Sequence, residues 1–235
     1  MKSAIPNLLT LSNLLSGCIA IVLIFEHHLE WASIAVLVGM VFDFFDGLVA
    51  RALKVQGPLG KELDSLADIV TFGVVPGLMI FKLLQMSVTS IPSESSLAEF
   101  LPYLGFLITL GAAFRLAKFN VLPSQDDFIG LPTPANAILI VSLPLIMAYQ
   151  SSDAMNTLIL NPAWLIGLAI LSVVLMNLPI RIMSMKFSGS NWKELSPQII
   201  LVVLSVVFLI TLKFAALPLI VFTHILISLV KFYPR

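Results

Sequence analysis

Charge is what this chain most lacks: Asp, Glu, Lys and Arg make up 11% of its 235 residues. Soluble proteins carry about 25%, and so sparse a set cannot cover a globular surface in water. Cysteine is nearly missing as well. Cys18 stands alone, which excludes an intramolecular disulfide and a multi-cysteine metal site, and it reads as a small packed residue of the first helix. Net charge is +0, so no basic surface points to nucleic acid. His27, His28 and His224 have no acids at ligand spacing and read as interfacial polar groups. Only Lys2 precedes the first apolar run and no small-residue cleavage pattern follows, so no cleaved signal peptide is expected.

What is abundant is apolar surface: 59% of residues are hydrophobic and mean hydropathy is +1.04. Runs such as 8–25, 97–113 and 199–212 approach the length of about 20 residues that a helix needs to cross a bilayer. The expected fold is an all-α, polytopic membrane bundle. Polar and turn-forming breaks divide it into eight helices, 6–25, 30–54, 62–87, 97–119, 133–150, 162–179, 196–212 and 215–232, with Lys213 alone between the last two. Eleven of the 13 Lys and Arg then fall on one side, leaving Lys82 and Lys213 on the other. Cationic loops stay in the cytoplasm, so both termini are expected there, in the cell membrane. No repeat or soluble segment interrupts the pattern, and residues 1–235 are read as one membrane domain.

Against this background, four carboxylates within 26 residues stand out: Asp43, Asp46, Asp64 and Asp68. Each costs roughly 2.5–3.5 kcal/mol at a helix centre on insertion scales. Asp43 and Asp46 share one face near the end of helix 2, and Asp64 and Asp68 share one face of helix 3. Gly47 and Ala50 continue the first face with almost no side chain, leaving room for a ligand or a neighbouring helix. Arg51 follows at the membrane boundary. Two facing helices thus offer a set of hard oxygen ligands, suited to Mg²⁺ or Mn²⁺ with phosphate completing the shell. Two such ions would clamp a pyrophosphate. Salt bridges of Asp43 or Asp46 with Arg51, and of Asp64 with Lys61, are the structural alternative, but two cations do not neutralise four acids. An ion-translocating cluster is another, though transport acids lie nearer the midplane.

The spacing Asp43-x2-Asp46-Gly47-x2-Ala50-Arg51-x8-Gly60-x3-Asp64-x3-Asp68 resembles the signature of the CDP-alcohol phosphatidyltransferases at all eight specified positions. That family moves a phosphatidyl group from a CDP-linked lipid to an alcohol and releases CMP. The resemblance implies a six-helix catalytic core, here residues 1–180, with 181–235 adding a cytoplasmic loop and two more helices. It implies two divalent ions on Asp43, Asp46, Asp64 and Asp68, with Asp68 also the base. It implies a CDP site at Asp46, Gly47, Ala50, Arg51 and Gly60, with Asn13 of helix 1 at the nucleotide, and a homodimer.

Segments 5–17 (IPNLLTLSNLLSG), 62–77 (ELDSLADIVTFGVVPG), 114–120 (FRLAKFN) and 128–137 (FIGLPTPANA) resemble the serine-transferring branch, the CDP-diacylglycerol–serine phosphatidyltransferases. A physical point agrees. Glycerol-phosphate transferases typically carry a Lys directly after the last motif Asp, whereas here Ile69 to Gly73 are uncharged and the next cation is Lys82. A zwitterionic acceptor such as L-serine fits better than glycerol phosphate or inositol phosphate. Arg115 is the candidate partner for its carboxylate, and Asn120, Gly130 and Pro132 are candidates for closing the acceptor pocket. Lys118 reads as interfacial, and Asp126 and Asp127 as solvated loop acids.

Overall fold

The computed structural model describes residues 3–88, 99–121, 128–183 and 192–232. The chain opens with α1 (Ala4–Phe25), which ends where Glu26, His27 and His28 supply polar residues and His27 takes a φ of 62°. Its buried stripe is Pro6, Thr10, Asn13, Ser16, Gly17, Ala20 and Ile24, three or four apart except for the adjacent Ser16 and Gly17, while Leu8, Leu11, Leu15 and Ile19 face outward. Small and polar residues therefore point inward and bulky apolar ones outward, the reverse of a soluble helix. Lipid gives helices no hydrophobic reason to associate, so close packing and buried hydrogen bonds must hold them. Cys18 lies on the outward face, exposed rather than packed as its size suggested.

α2 (Leu29–Ala52) runs antiparallel to α1 and packs along it. A third span, Pro58–Val88, is the most buried of the long ones. It starts with α3 (Pro58–Asp68), passes through a π-helical turn at Ile69–Val74, and continues as α4 (Val75–Val88). Pro58 occupies the first turn, where its missing N–H costs nothing. That moves the start of the span earlier than the expected residue 62. A 3₁₀ stretch (Leu101–Phe106) leads into α5 (Leu107–Val121).

Then come β1 (Phe128–Ile129), α6 (Thr133–Tyr149), the short α7 (Asp153–Ile159), α8 (Pro162–Asn177) and β2 (Arg181–Ile182). The strands form a two-residue antiparallel ladder, Phe128 opposite Ile182 and Ile129 opposite Arg181. α9 (Trp192–Leu212) and α10 (Ala216–Phe232) close the described chain, folding back on each other at Lys213, whose φ is 49°.

Among the described residues five segments are long and apolar enough to cross a membrane, and α7 with α8, bent by 56°, makes a sixth. One of the five, Pro197–Phe232, contains the reversal at Lys213 and so holds both α9 and α10. With the 17-residue α6, at the short end of spanning length, the expected eight helices are all present. The protein is an all-α, multi-pass membrane bundle, with α7 and the small ladder as additions. The main core gathers Phe72, Met79, Ile80, Leu83, Ile108, Ile140 and Leu165 around the third span. A second, separate cluster joins Leu131, Leu139, Ile182, Val221 and Ile225.

Candidate active site

At the end of α2 the aspartate pair faces the start of α3. Asp43, Asp64 and Asp68 each place one carboxylate oxygen within 4.8 Å of the others, and Asp43 lies within hydrogen-bond reach of both partners. Asp68 is 8% exposed and Asp46 6%. Among the described residues no Lys or Arg nitrogen comes within 4 Å of any of these acids; the ion pair found there joins His28 and Glu30 instead. The salt-bridge alternative therefore fails on geometry. One oxygen of Asp64 is buried without a hydrogen-bond partner. Converging hard oxygens with an unsatisfied lone pair and no Lys or Arg in direct contact fit a divalent metal.

Asp46 stands slightly apart from the other three. Thr10 of α1 donates a hydrogen bond to its Oδ2, and its own charge bears on Asp64 and on Arg51. Beside it opens a cleft of about 340 Å³ between α1, α2 and α3. Asp46, Gly47, Ala50 and Arg51 form one wall, and Gly60, Lys61 and Asp64 form another. Pro6, Asn7 and Thr10 complete it from α1. All the motif positions expected at the CDP are thus brought to one cleft, whose far end is the acid cluster. A Cβ on Gly47 would come to 3.4 Å from the Arg51 guanidinium, and one on Gly60 would meet only Asn7, at 3.7 Å.

Asn13 lies off this lining. It is fully buried and its amide donates to Asp68 Oδ1 at 3.3 Å. Its backbone carbonyl accepts from Thr71 Oγ1 at 3.0 Å, so the π turn that follows Asp68 is tied to α1. Asn7, Thr10 and Thr71 escaped the sequence reading. Asn7, Thr10 and Asn13 recur every third residue on α1, which is the signal that points to a polar face in a lipid-facing helix.

On the other side of Asp68 stands Arg115 of α5, 8% exposed and close enough for its charge to act on that carboxylate. Its Nη2 donates to the Gly130 carbonyl at 3.5 Å, and its Nε has no partner. Gly130 takes a φ of 72°, and a Cβ there would land 2.2 Å from the Met176 carbonyl oxygen. Only glycine fits that turn. Pro132 caps the start of α6, two residues on. The structure brings Arg115 and Gly130 together. Asn120 turns elsewhere, exchanging hydrogen bonds with Ser65 and donating to Glu62, while Lys61 binds its carbonyl. It fastens α5 to α3. Lys118 is exposed, and Asp126 and Asp127 lie outside the described residues. His224 is half-buried and bonds the Met183 carbonyl at 2.9 Å, so it is an interior group rather than an interfacial one.

Residues 3–175 match the family described as CDP-alcohol phosphatidyltransferase. The CDP-diacylglycerol–serine O-phosphatidyltransferase of Bacillus subtilis is 35% identical over 144 residues, covering 59% of this chain and 74% of that protein. The enzyme of the same name in Helicobacter pylori is 30% identical over 206 residues, covering 86% and 81%. The archaetidylserine synthase of Methanothermobacter thermautotrophicus is 36% identical over 155 residues, 64% of this chain and 62% of the relative's own length.

Proposed function

The chain belongs to the CDP-alcohol phosphatidyltransferase family, and from that premise we propose that it transfers the phosphatidyl group of CDP-diacylglycerol to L-serine, releasing CMP. The observation that carries this reading is the adjacency of three features. A cleft lined by the motif glycines and Arg51 leads to the acid cluster, and a buried arginine with a free Nε stands beyond it. Donor, reacting centre and acceptor each have a place. The relatives named for serine transfer support the choice of acceptor.

In this mechanism CDP-diacylglycerol enters sideways from the bilayer, with its nucleotide end against Gly47, Ala50, Arg51 and Gly60. Small residues there leave room for the pyrophosphate, and Arg51 offers it a fork of donors. Asp43, Asp46, Asp64 and Asp68 would hold the divalent ions, Mg²⁺ or Mn²⁺. When bound, such ions neutralise the pyrophosphate and the departing CMP. Arg115 pairs with the serine carboxylate, directing the hydroxyl towards Asp68. Asp68 takes the hydroxyl proton as the oxygen attacks the lipid-linked phosphorus. The anhydride P–O bond breaks, and its electrons leave with CMP. Products are phosphatidylserine and CMP, with no covalent enzyme intermediate. Gly130 and Pro132 shape the acceptor side, and Asn13, expected at the nucleotide, instead holds the Asp68 carboxylate through its amide.

We assign residues 1–180 to the catalytic core and the remainder to an addition. The site faces the cytoplasm, where serine is dissolved, and the protein works as a homodimer in the cell membrane, which its mass in detergent micelles tests. For the activity itself, the purified protein is given CDP-diacylglycerol and labelled serine. Label enters lipid in step with CMP release, stops in excess EDTA and returns with Mg²⁺ or Mn²⁺. Asp68→Asn lowers turnover by about 10²–10⁴, the range for general-base catalysis. Activity that persists in EDTA, or a near-normal Asp68→Asn protein, contradicts the mechanism.

A further inference from the structure

The two C-terminal helices have no place in the chemistry above, yet α10 carries two polar side chains that grip one residue. Ser228 is fully buried among apolar neighbours and accepts from the Met183 backbone N–H at 3.0 Å. One turn earlier, His224 Nε2 meets the Met183 carbonyl oxygen at 2.9 Å. A carbonyl only accepts, so Nε2 carries the proton. Ser228 in turn donates to the His224 carbonyl. Both backbone groups of Met183, a buried residue, are therefore satisfied from a single helix.

Met183 directly follows β2, and the contacts continue from there. Arg181 and Ile182 pair with Ile129 and Phe128 of β1. The Gly130 N–H donates to Ile180 at 2.8 Å, and the Leu131 N–H to Leu175 at 2.8 Å. Leu131 and Ile182 pack with Val221 and Ile225 of α10 in the second core cluster. At the end of this series the Gly130 carbonyl holds the Arg115 guanidinium.

We propose that α10 is a positioning element for the acceptor, in which His224 and Ser228 fix Met183, β2 and the Gly130 turn so that Arg115 is held towards Asp68. The idea rests on Arg115 as the partner of the serine carboxylate. It gives α10 a task in serine specificity rather than in anchoring alone.

The test measures KM for serine and KM for CDP-diacylglycerol separately on the full-length protein in proteoliposomes, together with thermal unfolding. Ser228→Ala and His224→Ala each raise KM for serine roughly three- to tenfold, the scale of one net hydrogen bond. KM for CDP-diacylglycerol stays as in the wild type, and the unfolding temperature falls only as far as one unpaired buried group requires. His224→Gln, whose amide still donates to a carbonyl, restores most of the loss. Leu226→Ala, on the exposed face of α10, changes neither constant. Arg115→Ala is run beside them. If it raises KM for serine while the α10 variants do not, the positioning role falls and the acceptor reading stands. Equal rises in both KM values with a lowered unfolding temperature also overturn it, since that marks general loosening. If Arg115→Ala leaves KM for serine unchanged, the acceptor reading fails and the proposal with it.

Discussion

Gly60 illustrates how a single residue can be read at two depths. In the sequence it is one position of a spaced motif. In the fold, its added Cβ would touch only Asn7 Oδ1, at the ordinary distance of 3.7 Å, so no neighbour demands a glycine. The demand comes from the cleft it lines. Gly60→Ala therefore leaves the thermal unfolding temperature unchanged while raising KM for CDP-diacylglycerol by the equivalent of about 1–3 kcal/mol, as overpacking does. KM for serine does not move. A drop in stability equal to the loss of binding sinks this account of the position. The aspartates were legible for the same reason as Gly60: carboxylates in an apolar chain are conspicuous, and their spacing fixes which face they share. Thr10 and Asn7 were not, because a Thr or Asn within a helix has many uses. Their role emerged only when α1 was laid against Asp46.

At the scale of elements, composition was enough to find the helices, since polar breaks of a few residues separate apolar runs. It did not reveal the π turn at Ile69–Val74, although Gly73 lies within it and Pro76, which has no N–H to offer the Phe72 carbonyl, follows it. That turn matters because Thr71 sits in it, against α1 and α2. A Cβ on Gly17 would fall 2.5 Å from Thr71 Oγ1 and 3.0 Å from its Cα, and one on Gly39 2.9 Å from Thr71 Cγ2. Backbone atoms leave little room to adjust. Gly17→Ala accordingly forces α1 away from the turn and draws Asn13 off Asp68. Both unfolding temperature and kcat fall, and the fall in kcat exceeds that in serine binding. Wild-type values for both would show that α1 does not position the cluster. The β1–β2 ladder was equally hidden, because two residues on each strand carry no periodicity.

For the whole molecule, the uneven distribution of Lys and Arg is the basis of the cytoplasmic site proposed above. Residues near Lys54 share the side of the cleft, and Lys213 marks the opposite side. In a background with Cys18→Ser, Lys213→Cys reacts with an impermeant maleimide on intact cells, and Lys54→Cys reacts only after permeabilisation. The reverse pattern contradicts a cytoplasmic site. What the amino-acid pattern left open was the acceptor side. Arg115 and the Gly130 turn lie 15 residues apart, and α10 joins them only through tertiary contacts. The central claim is that this machinery selects serine. The most direct measurement supplies purified protein with CDP-diacylglycerol and, in separate reactions, labelled serine, glycerol 3-phosphate and inositol phosphate, reading CMP release and lipid-bound label. Serine alone should give both products in equal amounts. CMP release driven by either phosphate-bearing alcohol, with serine inert, would contradict the account.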